Sequence, residues 1–277
     1  MEFLFTALLT MTAASSIQVH GHRGARAVRP ENTLPAFEYA IQIGADVLEM
    51  DLAVTKDNVL VVSHDPEMNR KICRGPAGPH VIREMTMEQL RQWDCGSLRN
   101  PDYPKQQPVP GTRVPALDEV LSLAGRGSFG FNIETKIFRD KPHLTPTPEV
   151  FASLLLEAIR RHKLEKRVIV QSFDFRTLHA MKKLAPEIKL AALLENGAER
   201  DFVAVARRAG APVISPQFRL VTPDRVRAAH DAALEVVPWT ANTPADWDRL
   251  IDAGVDAIIS DDPAELIRHL RARKLRP

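Results

Sequence analysis

The chain has 277 residues, of which 44% are hydrophobic, and this excludes a disordered protein because the apolar content is ample for one large core. Its 37 basic and 35 acidic side chains leave a net charge of +2, which excludes a global positive field for nucleic acid or anionic membranes. We therefore expect no nucleic-acid partner, and any phosphate recognition must come from a local group of side chains.

The first sixteen residues form an apolar stretch of signal-peptide length that carries Glu2 and no Lys or Arg ahead of it. Three interpretations stay open: a cleaved export signal, a membrane tether, or an upstream extension with Met11 as the true start. The first places the protein in the periplasm or outside the cell, and the last in the cytoplasm. We expect no stable membrane span, because the apolar run is shorter than about 18 residues.

Short runs rich in Val and Ile alternate along the chain with longer stretches of helical period, a pattern typical of βαβ units. The predicted strands are residues 17–20, 47–52, 129–134, 168–171, 189–194, 213–215, 234–239 and 257–260. The predicted helices are residues 34–43, 149–161, 176–184, 199–209, 223–232, 244–253 and 263–274. Eight such strands predict a (β/α)8 TIM barrel. An open doubly wound sheet is the alternative, although the chain lacks that fold's Gly-rich phosphate turn.

Residues 66–115 interrupt this alternation with a stretch rich in Pro, Gly and Arg, which we interpret as an insertion at the barrel mouth. The predicted single domain, residues 17–274, includes this insertion. Ahead of it, residues 60–63 are predicted to pair with an adjacent extended segment through a turn at Asn58. Cys73 and Cys95 both fall in this region, and either a disulfide or two free thiols is consistent with the sequence.

Polar residues occur where the predicted strands end, which is the face of a barrel that carries the active site. They are His22, Arg23, Glu49, Asp51, Glu134, Lys136, Gln171, Glu195, Gln217, Trp239 and Asp261. We therefore expect one site at the carboxyl ends of the strands.

Glu49 and Asp51 are two residues apart on one predicted strand, so their carboxylates point to the same face. A barrel strand has no water-facing edge, and an unpaired buried carboxylate is costly unless a cation neutralises it. Glu134 is a candidate third ligand or an ion-pair partner of Lys136. An all-oxygen set predicts one divalent cation, Mg²⁺ or Ca²⁺, with Mn²⁺ as a further candidate.

Three histidines lie at predicted strand ends, whereas the others fall in loops, on surfaces or on helices. His22 and His64 are candidates for proton transfer, because each lies in or beside a tight loop at a strand end. His20 is equally consistent with a supporting role and with a simple strand end. Arg23 and Lys136 supply positive charge that suits a phosphate group.

These segments resemble the signature segments of glycerophosphodiester phosphodiesterases, and they follow one another in the same order. The matching segments are His22-Arg23-Gly24, Pro30-Glu31-Asn32-Thr33, Glu49-Met50-Asp51, Ser63-His64-Asp65, Asn132-Ile133-Glu134-Thr135-Lys136, Gln171-Ser172-Phe173, Trp239-Thr240-Ala241-Asn242 and Ser260-Asp261-Asp262-Pro263. The insertion resembles the small cap of these enzymes. Asn58 departs from the family's usual Gly, at a turn outside the chemistry.

The resemblance implies a metal-dependent hydrolase that converts glycerophosphodiesters to glycerol 3-phosphate and an alcohol. By this resemblance, the metal ligands would be Glu49, Asp51 and Glu134, and the acid and base would be His22 and His64. The substrate would be bound by Arg23, Lys136 and Trp239, and the site would be ordered by Glu31 and Asn32. The order in which the histidines act, the head group and the oligomeric state stay open.

Two other functions remain as alternatives at this point. The same barrel can belong to a lipid phosphodiesterase that acts on lysophospholipid or sphingomyelin, with the Pro- and Arg-rich insertion facing the lipid. It can also belong to a barrel that only binds phosphorylated ligands. The presence of all five metal and histidine residues argues against the second alternative.

Overall fold

The computed structural model describes residues 17–195, 197 and 199–277. The leader predicted at residues 1–16 lies outside this described part.

Eight parallel strands surround the core in the spatial order β8-β7-β6-β5-β4-β2-β1-β9, and the short β3 pairs antiparallel with β2. The strands are β1 Gln18–Gly21, β2 Val47–Val54, β3 Leu60–Val62, β4 Gly130–Thr135, β5 Val168–Ser172, β6 Lys189–Leu194, β7 Val213–Pro216, β8 Glu235–Val236 and β9 Ala257–Ser260. The two outer strands are joined by backbone hydrogen bonds, from Asp256 N to Val236 O (3.1 Å) and from Ile259 N to Pro238 O (3.0 Å). The sheet is therefore a nearly closed barrel, which confirms the predicted TIM barrel over the open sheet.

Apart from α2, which lies within residues 66–115, the helices connect the barrel strands and cover the outside of the barrel. Their bounds are α1 Leu34–Gln42, α2 Met87–Leu90, α3 Leu117–Leu121, α4 Pro148–Arg161, α5 Phe175–Leu184, α6 Phe202–Ala209, α7 Pro223–Asp231, α8 Pro244–Ala253 and α9 Pro263–Ala272. Helices α7, α8 and α9 begin as predicted, with Pro at the first turn after Thr222, Thr243 and Asp262, whose side chains each accept a backbone N–H. None of the described helices has the length and apolarity that crossing a bilayer requires.

Strand β8 is shorter than the predicted residues 234–239. The regular part ends at Val236, and Pro238 follows without an N–H to donate. The chain nevertheless stays beside β7, because Trp239 N donates to Pro216 O at 3.0 Å. Trp239 therefore still reaches the barrel mouth.

Residues 66–115 form a cap that packs on β2 and β3 through its own apolar cluster. The cluster includes the fully buried Trp93 and Leu90 and the two cysteines. Cys73 and Cys95 form a disulfide, with their Cα atoms 4.0 Å apart, which resolves the question that the sequence left open. The predicted hairpin is also present: Asn58 adopts a positive φ of 60° in the turn that precedes β3.

Candidate active site

One cavity of about 370 Å³ opens at the carboxyl ends of the barrel strands. It is lined by His22, Arg23, Arg26, Glu49, Asp51, His64, Glu134, Lys136, Gln171, Phe173, Leu193, Glu195, Trp239, Thr240 and Ile259. Most of the residues predicted for the mouth are thus brought together. Gln217 and Asp261 do not line the cavity: the side chain of Gln217 accepts the backbone N–H of Arg219 in a short turn, and Asp261 contacts His22.

Three carboxylates meet on the floor of the cavity. Glu49 and Asp51 lie on β2, and Glu134 on the adjacent β4 is in register with Asp51. All three side chains are buried, and one oxygen of each lies within 4.8 Å of the others. This is the grouping that the sequence predicted for a cation.

The pKa values of these carboxyls are shifted by burial and by their charged neighbours. Burial and then the charge of Asp51 raise the pKa of Glu49 well above its usual value, and burial raises that of Glu134 to about 7 although Lys136 opposes it. For Asp51, burial is outweighed by Lys136 and Arg23, which hold its pKa well below the usual value. Because three buried acids exceed their two cationic neighbours, this all-oxygen donor set fits a divalent cation.

Hydrogen bonds from the loop after β1 and from β5 orient two of the carboxylates. Glu49 accepts the backbone N–H of Arg23 at 2.9 Å and the side-chain amide of Gln171 at 2.8 Å. Asp51 accepts the amide of Asn32 at 2.9 Å. Arg23 and Asn32 both have positive φ, and this backbone conformation of the loop after β1 directs the Arg23 N–H and the Asn32 amide towards β2. Asn32, predicted to order the site, therefore lies directly against the carboxylate group.

His20 does not line the cavity. It is fully buried, and burial lowers its pKa to about 4. Its Nδ1 is 3.5 Å from the amide nitrogen of Asn132, which in turn donates to Gln171 at 3.0 Å. His20 thus adjoins a chain of polar side chains that ends at Glu49.

His22 is held from behind by Asp261, with Nδ1 and Oδ1 2.5 Å apart. Burial on its own raises the pKa of Asp261, but His22 and Arg26 outweigh it and lower the value to about 2. The ionised carboxylate can only accept, so Nδ1 carries the proton and Nε2 is the free nitrogen. That Nε2 lies 3.9 Å from Glu49, on the side of the carboxylates.

His64 stands at the rim of the cavity, beside the start of the cap. Its Nδ1 is 2.8 Å from the carboxylate of Asp65, so a second Asp–His contact repeats that of His22. The side chain of His64 is 34% exposed, whereas that of His22 is only 12% exposed. One imidazole is therefore deep in the cavity and the other close to solvent.

Positive charge is concentrated on one wall by Glu31, which joins two arginines. Its carboxylate contacts Arg23 at 2.6 Å and Arg26 at 2.9 Å. Burial alone raises the pKa of Glu31, but the two guanidinium groups outweigh it and hold the value below its usual range. Lys136, which directly follows β4, adds a further positive charge 2.8 Å from Glu134 and 3.4 Å from Asp51. The predicted Arg23, Glu31 and Lys136 are thus parts of one charged network.

Several residues at this site were not singled out from the sequence. Tyr103 of the cap donates to Asp261 at 3.1 Å, and its ring lies 4.6 Å from the Arg26 guanidinium. Asn242 also donates to Asp261, at 2.6 Å. Arg26 lies just after the first signature segment and Phe173 lies within another, so both were within reach of the motif pattern. No sequence motif pointed to Tyr103, because it lies in a segment without a helical or strand period.

A family model described as the glycerophosphoryl diester phosphodiesterase family matches residues 22–265. The chain is also 34% identical, over 91% of its length and 97% of the relative's, to a glycerophosphodiester phosphodiesterase of Caldanaerobacter subterraneus subsp. tengcongensis. The chain belongs to the glycerophosphoryl diester phosphodiesterase family. A relative of Bacillus subtilis strain 168 with the same activity in its name is 32% identical over 87% of this chain and 82% of its own.

Solved structures agree with this membership. A crystal structure from Silicibacter pomeroyi DSS-3, described as that of a glycerophosphoryl diester phosphodiesterase, superposes with a TM-score of 0.88 at 31% identity and covers 95% of this chain and 96% of its own. An Oleispira antarctica phosphodiesterase in complex with the product sn-glycerol-3-phosphate has the same fold, with a TM-score of 0.77 at 23% identity, and covers 92% of this chain and 96% of its own. The family resemblance read from the sequence is confirmed, and this family member is a phosphodiester hydrolase.

Proposed function

We propose that this phosphodiesterase hydrolyses glycerophosphodiesters to glycerol 3-phosphate and an alcohol, with one divalent cation and two histidines. The observation that carries the proposal is a single cavity that contains both a buried carboxylate triad and two imidazoles, each backed by an aspartate. The product complex of the Oleispira neighbour supports the same substrate class. The proposed catalytic unit is one barrel domain, residues 17–274, with the insertion 66–115 as its cap.

Glu49, Asp51 and Glu134 are the residues that would hold the cation. When bound, Mg²⁺, Ca²⁺ or Mn²⁺ would act as a Lewis acid that offsets negative charge on the phosphate oxygens. Gln171, Asn32 and the backbone of Arg23 hold two of these carboxylates in place before any ion binds. Such preorganisation lowers the reorganisation that binding requires.

Arg23 and Lys136 are proposed to bind the phosphate, since the guanidinium and the ammonium group both line the cavity beside the triad. The planar guanidinium suits two phosphate oxygens, and Glu31 fixes its position through the 2.6 Å contact. Trp239 lines the opposite side, where it would contact the substrate's organic part.

The histidines are proposed to move the protons. The glycerol hydroxyl next to the ester attacks phosphorus as one imidazole takes its proton, and the P–O bond to the alcohol breaks as the other imidazole protonates that oxygen. The resulting cyclic phosphate is opened by water, with the histidine roles reversed. Asp261 and Asp65 would keep the Nε2 atoms of His22 and His64 available for these transfers.

The proposal is tested with a panel of glycerophosphodiesters that differ in head group, assayed after EDTA treatment and after addition of Mg²⁺, Ca²⁺ or Mn²⁺. We expect activity to disappear with EDTA and to return with at least one ion. His22→Ala and His64→Ala should each lower kcat by about 10²-fold to 10⁴-fold. The exposed His143→Ala is the matched control. Wild-type rates in both cavity variants, with metal present, would reject the two-histidine assignment.

A further inference from the structure

The two sides of the cavity differ in the side chains that line them. Arg23, Arg26 and Lys136 lie on the side formed by the segments after β1 and β4. The other side, formed by the ends of β5, β6 and the segment after β8, presents Phe173, Leu193, Glu195, Trp239 and Thr240. No Lys, Arg or His of the described chain lines the cavity from that second side. The first side therefore holds the carboxylate triad together with all the cationic side chains, whereas the second side is aromatic and apolar apart from Thr240 and the single carboxylate of Glu195.

Two aromatic rings form a corner on the second side. Phe173 and Trp239 stand at 84° with centroids 5.4 Å apart. The indole is fixed because Trp239 Nε1 donates to Ser215 O at 2.9 Å. Phe173 is 41% exposed, and few large apolar side chains of the described residues are that open to solvent. An exposed ring at a cavity mouth indicates a surface for a ligand.

The aromatic corner adjoins the proposed phosphate position. The Lys136 ammonium, assigned above to the phosphate, lies 5.8 Å from the centre of the Phe173 ring. A group attached to the phosphate through a short chain therefore comes next to the rings. Aromatic faces attract cations, and quaternary ammonium groups are a common ligand of such surfaces.

Glu195 adds a negative charge to the same side. Glu195 is exposed at the edge of the cavity that it lines, and within the described part of the chain it forms no ion pair with a Lys, Arg or His. A carboxylate that faces an anionic phosphodiester is unfavourable unless positive charge lies between the two. An ammonium group on the substrate supplies that charge.

We propose that Phe173, Trp239 and Glu195 form the subsite for a cationic head group, so that the preferred substrates are zwitterionic glycerophosphodiesters whose alcohol carries an ammonium group. Glycerophosphocholine and glycerophosphoethanolamine belong to this class. The phosphate binds at Arg23 and Lys136, and the ammonium binds across the cavity. This assignment rests on the proposed function and adds to it the identity of the leaving alcohol.

The test compares kcat/KM for glycerophosphocholine, glycerophosphoethanolamine and glycerophosphoglycerol, whose head group is uncharged. We expect the wild-type enzyme to favour both ammonium substrates. Glu195→Gln should lower kcat/KM for them by about fivefold to twentyfold, mainly through KM, and change the glycerophosphoglycerol value by less than about twofold. Phe173→Leu should lower kcat/KM for the choline substrate more than for the ethanolamine substrate, because the trimethylammonium group has the larger contact with the ring. Glu157→Gln, on the exposed face of α4, is the matched control.

Two results would overturn the subsite. One is a Glu195→Gln variant that loses activity equally on all three substrates, and the other is a variant that loses none. Either result leaves the proposed function intact as long as the wild-type enzyme hydrolyses the diesters. Absence of wild-type hydrolysis on the whole panel would instead reject the proposed function itself.

Discussion

His22 and Asp261 lie 239 residues apart in the sequence and 2.5 Å apart in the structure, between the first and last strands of the barrel. The same carboxylate accepts hydrogen bonds from Tyr103 of the cap and from Asn242. A deep imidazole is thereby tied to three separate segments. Its orientation depends on the closure of the barrel and on the seating of the cap.

Replacement of Asp261 by Asn should lower kcat by about 10²-fold, with a smaller effect on KM. The amide can donate to Nδ1 and thus stabilise the tautomer that has its proton on Nε2, where a free nitrogen is needed. Steady-state kinetics on a glycerophosphodiester measures the change. Asp248→Asn is the control, since Asp248 contacts His269 at 2.8 Å on the outer helices. Equal losses in the two variants would contradict a positioning role for Asp261.

Asp261 also predicts a pH dependence of stability. Its pKa is about 2 in the folded protein against an ordinary 3.8, so its carboxylate stabilises the fold above pH 4 and loses this contribution as the pH falls towards 2. The full contribution is about 2 kcal/mol. In urea unfolding, Asp261→Asn should therefore lower the free energy of unfolding, relative to the wild type, by more at pH 7 than at about pH 3. A deficit that stays the same at both pH values would disagree with this linkage.

Tyr103→Phe should lower kcat by about threefold to tenfold, because it removes one hydrogen bond to the Asp261 carboxylate and keeps the ring beside Arg26. Tyr103→Leu also removes that ring and should raise KM as well. The split between kcat and KM distinguishes the two contacts. Tyr39→Phe is the matched control, since Tyr39 also stacks with an arginine, Arg29, but lies on the outer helix α1. If Tyr39→Phe and Tyr103→Phe behave alike, the cap contact is not specific.

Metal binding should be measurable without an assay of activity. A divalent cation at about 100 times its Kd should raise the free energy of unfolding by about 2.7 kcal/mol. Glu134→Gln should abolish most of this gain, because it removes one oxygen ligand from the triad. Thermal unfolding with and without each ion, together with metal content after dialysis, tests this. The exposed Glu187→Gln should keep the full gain, and a Glu134→Gln protein that still gains it would contradict the site.

The cap disulfide should contribute about 3 kcal/mol to stability, since it closes a loop between residues 22 apart in sequence. Reductant should lower the denaturant midpoint of the wild-type protein. The double variant Cys73→Ser/Cys95→Ser should unfold at the lower midpoint with or without reductant. A wild-type midpoint that does not respond to complete reduction, verified by thiol titration, would be inconsistent with this contribution.

The sequence predicted most of the barrel because parallel strands buried on both faces leave long apolar runs. Strand β2 is buried along its whole length, and its only charged residues, Glu49 and Asp51, were for that reason conspicuous. The register of β2 against β4 then brings Asp51 opposite Glu134, which the predicted strand order implied. The three carboxylates of the cavity floor could therefore be predicted from the sequence pattern alone.

The contacts of the cap were not accessible in the same way. Tyr103 meets Asp261 across 158 residues, and no periodicity relates a loop in the insertion to the last strand. The disulfide likewise depended on a cap geometry that spacing does not determine. Strand β8 shows a third limit, because its pairing continues past Val236 through isolated hydrogen bonds rather than a regular ladder.

The backbone N–H of Arg23 donates to Glu49, and this contact has a consequence for mutagenesis of the site. Because the donor belongs to the main chain, Arg23→Ala removes the guanidinium and leaves the hydrogen bond in place. Alanine scanning will therefore measure the contribution of the Arg23 guanidinium and not that of its backbone N–H. Only a change to the peptide unit itself, such as an ester in place of that amide, would reveal how much of the order of Glu49 the loop supplies.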